Sequence, residues 1–350
     1  MLDVCLHGGK EGTSASQMRR ALLVVSQFHL SGFVEQSGLR RKMAVEVPRF
    51  ELCEGQITAV IGGSGCGKSV LLSLFMGYPS FGIGGELRFE QFAAFGERMP
   101  PSAFQFPESA AKWRRRMNRA GGLFYLPQNF PESKVRGGDT LSAMVQVVQA
   151  LSEPRRISSR NAAIMIAKTF ADHEMEDALG KKLDDLSGGE RRRAELLARL
   201  VAIKNAGRPA ILILDEPTTG FDPANAQRFI RDVRDIMDKL ADSGLPAAAL
   251  LSTHEMKSMD ERMENGHRVI DRACVVNRDL EGPGKDDCSV VYEGRPQDVF
   301  PFFFRDRPDA GQMSFATNGD ELFERIREKK SREWLQSLSS QPKEDNDHVS

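Results

Sequence analysis

Four short apolar runs organise the middle of the chain: residues 57–61 (ITAVI), 123–127 (LFYLP), 211–214 (ILIL) and 247–252 (AAALLS). Runs this short with little polar alternation read as strands buried on both faces, as in a parallel sheet. Between them, helical patterning is predicted over 68 to about 76, through most of 139–182, from Gly188 onward and over about 224–240. Asp139 or Thr140 is the candidate N-cap of the second segment, and Ser187 that of the third. Strand and helix alternating in this way predict an α/β fold around a parallel sheet. Ahead of it, ALLVVSQFHL and MAVEVPRFELCEG, with partial alternation at Val45, Val47 and Phe50, predict an antiparallel β layer joined by a turn at 31–38. Residues 78–122, rich in Gly, Pro and Phe, read as irregular.

The tail has a different pattern. Residues 305–319 read as loop, and 320–338 as one modest amphipathic helix on Leu322, Ile326, Trp334 and Leu338. The expected division is an unordered segment 1–18, a main domain 19–304 with a helical subdomain at about 131–190, and a C-terminal extension 305–350 ending in an unordered tail.

Composition narrows the function classes. The chain has 350 residues, 40% of them apolar, and a formal net charge of -1. Nucleic acid is therefore not an expected partner of the surface as a whole. Five cysteines, scattered and without a CxxC pair, argue against a disulfide framework or a zinc site and suit a reducing compartment. There is no secretory signal pattern and no run of the roughly 18–20 apolar residues that span a bilayer.

The first apolar run ends in Gly62-Gly63-Ser64-Gly65-Cys66-Gly67-Lys68-Ser69. This is G-x-x-x-x-G-K-[ST] between a predicted strand and helix, the pattern of a phosphate loop. Glycines let backbone amides approach phosphates, and the helix start adds its dipole. Lys68 supplies a charge for the β- and γ-oxygens, and the Ser69 hydroxyl is a magnesium ligand. Cys66 reads first as a tolerated small side chain, and second as a thiol activated by its neighbours.

Two carboxylates, Asp215 and Glu216, follow the third run. Charges at a dry strand end need partners. A magnesium ion on Asp215 and an attacking water polarised by Glu216 would supply them. The fourth run leads into Ser252-Thr253-His254-Glu255, which places His254 among the strand ends where ligands gather in open α/β sheets. Leu186-Ser187-Gly188-Gly189-Glu190 opens a further helix, with two glycines suited to close approach of an anion. A second anion site in a single-loop domain makes sense if it serves a neighbouring subunit.

The order phosphate loop, Gln128, LSGGE, ILILDEP, Asp222, STHE resembles the ATP-binding cassette family over about residues 20–300. The resemblance implies a P-loop NTPase with a RecA-like parallel-sheet core, an antiparallel β subdomain and a helical subdomain. It implies ATP and Mg2+, and a head-to-tail dimer with itself or a related subunit, in which Ser187, Gly188 and Gly189 face the ATP held by the opposite phosphate loop. By the same resemblance Gln128 touches magnesium or water and relays the nucleotide state to a partner, Asp222 reads across the dimer, and His254 contacts the γ-phosphate. Phe33 is the first candidate to stack on adenine and Phe28 the second.

The chain departs from the family at three places. Arg199 stands one position later than the family's usual arginine, and the linker 201–210 and the segment between Lys68 and Gln128 are long. Arg191 to Arg193 read as a solvated helix surface; Lys112 to Arg116, with Trp113 among them, read first as a solvated face and second as a contact for an acidic partner or nucleic acid. The leading expectation is the ATPase subunit of a transporter, cytoplasmic and held on the inner face of a membrane by a separate permease. The rival is a soluble cassette ATPase acting on nucleic acid, ribosomes or in signalling; relatives on ribosomes usually carry two cassettes, and this chain has one. A catalytically weak interaction module is the third reading.

Overall fold

The computed structural model describes residues 4–5, 19–36, 39–76, 81–82, 87–102, 107–128, 138–152, 156–253, 259–263, 266–278 and 287–328. The N-terminal part contains strands β1 (Val4–Cys5), β2 (Arg19–Gln36), β3 (Leu39–Cys53) and β4 (Ile57–Ile61), then helix α1 (Lys68–Phe75). Four short strands follow: β5 (Phe81–Gly82), β6 (Leu87–Arg88), β7 (Gln91–Ala94) and β8 (Glu97–Arg98). Helix α2 (Pro107–Ala120) leads into β9 (Gly122–Leu126), and α3 (Thr140–Leu151), α4 (Ser159–Ala171) and α5 (Gly188–Ala206) come next. Then β10 (Ala210–Leu214), α6 (Pro223–Asp242), β11 (Ala247–Thr253), β12 (Arg272–Arg278) and β13 (Cys288–Gly294) complete the sheet. Helices α7 (Val299–Phe303) and α8 (Phe315–Glu328) close the described chain.

Strands β9, β10, β11, β4 and β12 are parallel neighbours in that order. Leu214 pairs with Leu126 and Leu251, and Thr253 with Ile61, so β9 and β10 end together and β11 and β4 end together two residues further on. The segments beginning at Gly62, Pro127 and Asp215 therefore leave the sheet at the C-terminal end of its parallel strands. Both faces of these strands are covered, which explains their uninterrupted apolar sequence. Ala210, Leu212 and Leu214 of β10 join one core with α3, α4, α5 and α6, whereas Ile211 and Ile213 join a second with α1 and the antiparallel layer.

In that layer β3 pairs antiparallel with β2, and β2 with β5, β6 and β7. The turn expected at 31–38 is tighter than its polar sequence suggests, because β2 runs to Gln36 and β3 begins at Leu39. The stretch read as irregular, 78–122, holds β5 to β8 and α2. Its strands are two to four residues long, too short to show a period. Strands β12 and β13 were not anticipated. Cys53 is disulfide-bonded, against the expectation of unbridged thiols, while Cys66, Cys274 and Cys288 are free.

Both capping expectations have their reasons in the structure. Asp139, of the two candidates, caps α3 by accepting the Ser142 N–H at 2.8 Å. Ser187 and Glu190 form a capping box on α5, each side chain accepting the other's backbone N–H. The long linker after α5 largely disappears: the helix continues to Ala206 and stops at Gly207, whose φ of 58° is left-handed. The C-terminal helix starts at Phe315, inside the stretch read as loop, and its predicted positions beyond 328 lie outside the described residues.

Helix α2 is fastened by Trp113, which is fully buried, stands edge-on to Phe92 at 6.0 Å and donates to the Glu97 carbonyl at 3.4 Å. Lys112, Arg115 and Arg116 stay exposed around it, as a solvated face requires. Trp113→Ala is expected to lower the unfolding free energy by roughly 3–5 kcal/mol. A urea midpoint equal to that of the unaltered protein would show that α2 is not anchored in this way.

Candidate functional site

Gly62 begins the loop after β4 under a steric constraint. A Cβ there would lie 2.5 Å from the Val276 carbonyl of β12 and 2.5 Å from Cys66 Sγ, so only glycine fits. Gly67, at φ 101°, turns the chain into α1. Cys66 itself is 6% exposed and packs in the core beside α1, as a small buried side chain. Lys68 is 4% exposed. Its Nζ donates to the carbonyls of Gly62 at 3.0 Å and Gly63 at 3.3 Å, and stands 3.4 Å from Glu216 Oε1.

The two carboxylates at the end of β10 are held differently. Asp215 is buried and accepts three hydroxyl donors: Ser252 at 2.7 Å and Ser69 at 3.2 Å on Oδ1, and Tyr125 at 3.2 Å on Oδ2. Burial, then the charge of Asp215, pushes the Tyr125 phenol well above its usual range and keeps it a donor. Ser252 also accepts the Glu216 N–H at 2.8 Å, so one hydroxyl orients both neighbours. Glu216 has a φ of 43°, in the left-handed region that costs a non-glycine residue energy. Its Oε2 accepts Gln128 Nε2 at 3.1 Å and the Thr219 hydroxyl at 3.3 Å.

One hydrogen-bonded cluster thus joins Lys68, Ser69, Gln128, Asp215 and Glu216. The oxygens of Ser69 and Asp215, which meet where the loop passes the strand end, are hard donors that suit magnesium, an ion that retains water and phosphate oxygens besides one or two carboxylates. Ser187, Gly188 and Asp222 share none of these bonds and are exposed. Gly189 is partly covered, and a Cβ on it would come 3.9 Å from Asn225 Cγ. Asp222 caps α6, accepting the N–H groups of Ala224 and Asn225 at 3.1 Å, and the Asn225 bonds hold its carboxyl below the usual range.

His254 lies outside the described residues, one position beyond Thr253, which is buried beside Ile61. Phe33 is placed by its backbone in β2, and its side chain lies outside the described ones. Phe28 is 2% exposed and packs against Phe89 and Phe92, so it has no free face for a base.

The arginines after the signature loop, Leu186 to Glu190, are not a solvated surface. Arg192 pairs with buried Glu195 at 2.9 Å and donates to the Gln128 carbonyl; Arg193 pairs with Asp232 at 2.7 Å; Arg191 lies 3.7 Å from Glu195. Arg199 is 4% exposed and donates to the Tyr125 carbonyl at 2.8 Å, and burial pushes its guanidinium down to about 10. Sequence reasoning quoted Tyr125, Ser252, Arg192 and Arg199 but gave none of them a part in the site. The signal available was the two-turn spacing of Arg192 and Arg199 with an acid between.

The family model for ABC transporters matches residues 45–219, half of the chain. Over 206 residues the chain is 31% identical to an ABC transporter ATP-binding/permease protein of Mycobacterium tuberculosis, a match covering 59% of this chain and 20% of that protein. It is 29% identical to a phosphate import ATP-binding protein of Vibrio cholerae, covering 66% and 77%. The chain thus spans a fifth of the length of the first relative and about three-quarters of the second. Among solved structures, CbiO1 of Clostridium perfringens, part of the ABC transporter complex CbiONQ, superposes with a TM-score of 0.53 at 18% identity, over 83% of this chain and 98% of that one. That likeness supports the fold. With the family match and the clustered site together, the chain belongs to the ABC transporter family and is one of its ATP-binding ATPases.

Proposed function

We propose that this ATPase drives transport through a separate membrane permease, closing as a head-to-tail dimer on two ATP molecules. The observation that carries the catalytic part is the single cluster in which Lys68, Ser69, Gln128, Asp215 and Glu216 meet at the C-terminal ends of parallel strands. Lys68 now spends its charge on two loop carbonyls and Glu216; with ATP bound it turns to the β- and γ-oxygens, while the amides of Gly63 to Ser69 and the start of α1 face the phosphates.

Ser69 and Asp215 would hold Mg2+, with Gln128 beside them, and the ion when bound offsets the negative charge gathering on the phosphate oxygens. Tyr125 and Ser252 fix the Asp215 carboxylate for that task. Glu216 takes the proton from the attacking water, and Gln128 and Thr219 steady its Oε2. His254 contacts the γ-phosphate, and Phe33 stacks on adenine. Ser187, Gly188 and Gly189 serve the ATP of the opposite subunit, whose arrival Asp222 registers; Ser187 and Gly188 are open for this.

Among the described residues no helix is long and apolar enough to cross a membrane, so attachment falls to the permease. The relatives named for phosphate import and for the CbiONQ complex support this reading, and the place proposed is the cytoplasmic face. Nucleic acid is not a proposed partner.

Glu216→Gln is expected to keep ATP binding and lose roughly 10²–10⁴ in hydrolysis rate. Phosphate release within threefold of the unaltered protein would remove Glu216 from the role of base. For the transport reading, cell fractionation should place the chain with membranes only when its permease is expressed. A chain that stays in the soluble fraction in both cases, with ATPase activity rising severalfold on added DNA or RNA, would favour the rival function.

A further inference from the structure

Helix α5 carries two guanidinium groups two turns apart on one face, and both donate to backbone carbonyls of the segment that leads from β9 into the Gln128 loop. Arg199 Nε donates to the Tyr125 carbonyl at 2.8 Å, and Arg192 Nη2 donates to that of Gln128. Between them Glu195, 1% exposed, accepts Arg192 Nη1 on its carboxylate at 2.9 Å, and its backbone carbonyl accepts Arg199 Nη1 at 2.8 Å. The same helix begins with the signature residues, and its capping box fixes its first turn. On the other side, the Gln128 amide donates to Glu216 Oε2 at 3.1 Å.

A buried ion pair is retained at a cost, since two charges leave water and are repaid only by good geometry. Arg192 has that geometry because its planar fork makes two bonds in different directions, one to Glu195 and one to Gln128. A lysine would have to serve both acceptors from a single nitrogen on a flexible stem, without the fixed spacing of the fork. Arg199 pins the Tyr125 end, so the glutamine segment is stapled to α5 at two points.

We propose that Arg192, anchored by Glu195, is a positioning residue for ATP hydrolysis: it fixes the Gln128 backbone relative to the signature helix and thereby sets the Gln128 amide on Glu216. This rests on the roles given above to Gln128 and Glu216. Arg192 acts on turnover through Gln128.

The test is a double-mutant cycle in the full chain with Arg192→Lys, Gln128→Ala and the pair, following steady-state hydrolysis, ATP binding and unfolding midpoint. Arg192→Lys is expected to lower kcat about tenfold, the scale of a small misplacement away from the reacting atoms, with ATP affinity held within about twofold. In the Gln128→Ala background the same substitution should cost less than about twofold, because residues acting as one unit are non-additive. Glu195→Gln, which leaves both arginines in place, should lower kcat in the same direction. If the Arg192→Lys and Gln128→Ala losses multiply, or if Arg192→Lys lowers only the unfolding midpoint, the proposal fails. If instead Glu216→Gln hydrolyses ATP normally, the reading of the base fails, whatever the cycle shows.

Discussion

Two adjacent carboxylates at the dry end of β10 are the constraint from which the rest of the site follows. Asp215 is buried and accepts the hydroxyls of Ser69, Tyr125 and Ser252, with no cationic partner among the described residues. Glu216 has Lys68 at 3.4 Å and sits at a left-handed φ. An unpaired charge in such a place is costly unless strongly hydrogen-bonded. The neighbouring strand ends supply the donors: β11 contributes Ser252, β9 contributes Tyr125 and the phosphate loop contributes Ser69. In the proposed function a divalent cation with nucleotide phosphate would complete the balance.

Much of this was legible because the chemistry is local in sequence. The phosphate loop, the Asp215-Glu216 pair and the serine-capped glycines each occupy a few consecutive residues, and the apolar runs before them announced buried strands. What the sequence did not show depended on contacts across long separations. The antiparallel layer contains strands of two to four residues whose existence depends on pairing with β2. Helix α2 was hidden in a stretch that looked irregular, although Trp113 and Met117, both buried, stand one helical turn apart with charged residues between.

The arginines after the signature show the limit most clearly. Three consecutive basic residues at a helix start normally indicate solvent, and here they meet Glu195, the Gln128 carbonyl and Asp232. Arg199, noted as out of place, proved to be buried against β9. Register on a helix decides which residue faces a neighbouring strand. That register became visible only once the helix was packed beside its partner.

The claim on which the account depends is that the cluster at the strand ends is built for nucleotide and metal together. Thermal unfolding in the presence of a non-hydrolysable ATP analogue, with magnesium or with a chelator, tests it most directly. Ligand at about a hundred times its dissociation constant stabilises a folded protein by roughly 2.7 kcal/mol. For a chain of 350 residues that is on the order of 4 °C in midpoint. The account predicts a shift of that size with analogue and magnesium, and a clearly smaller one with analogue and chelator. Equal shifts in the two conditions would contradict it, since Ser69 and Asp215 would then be holding no ion.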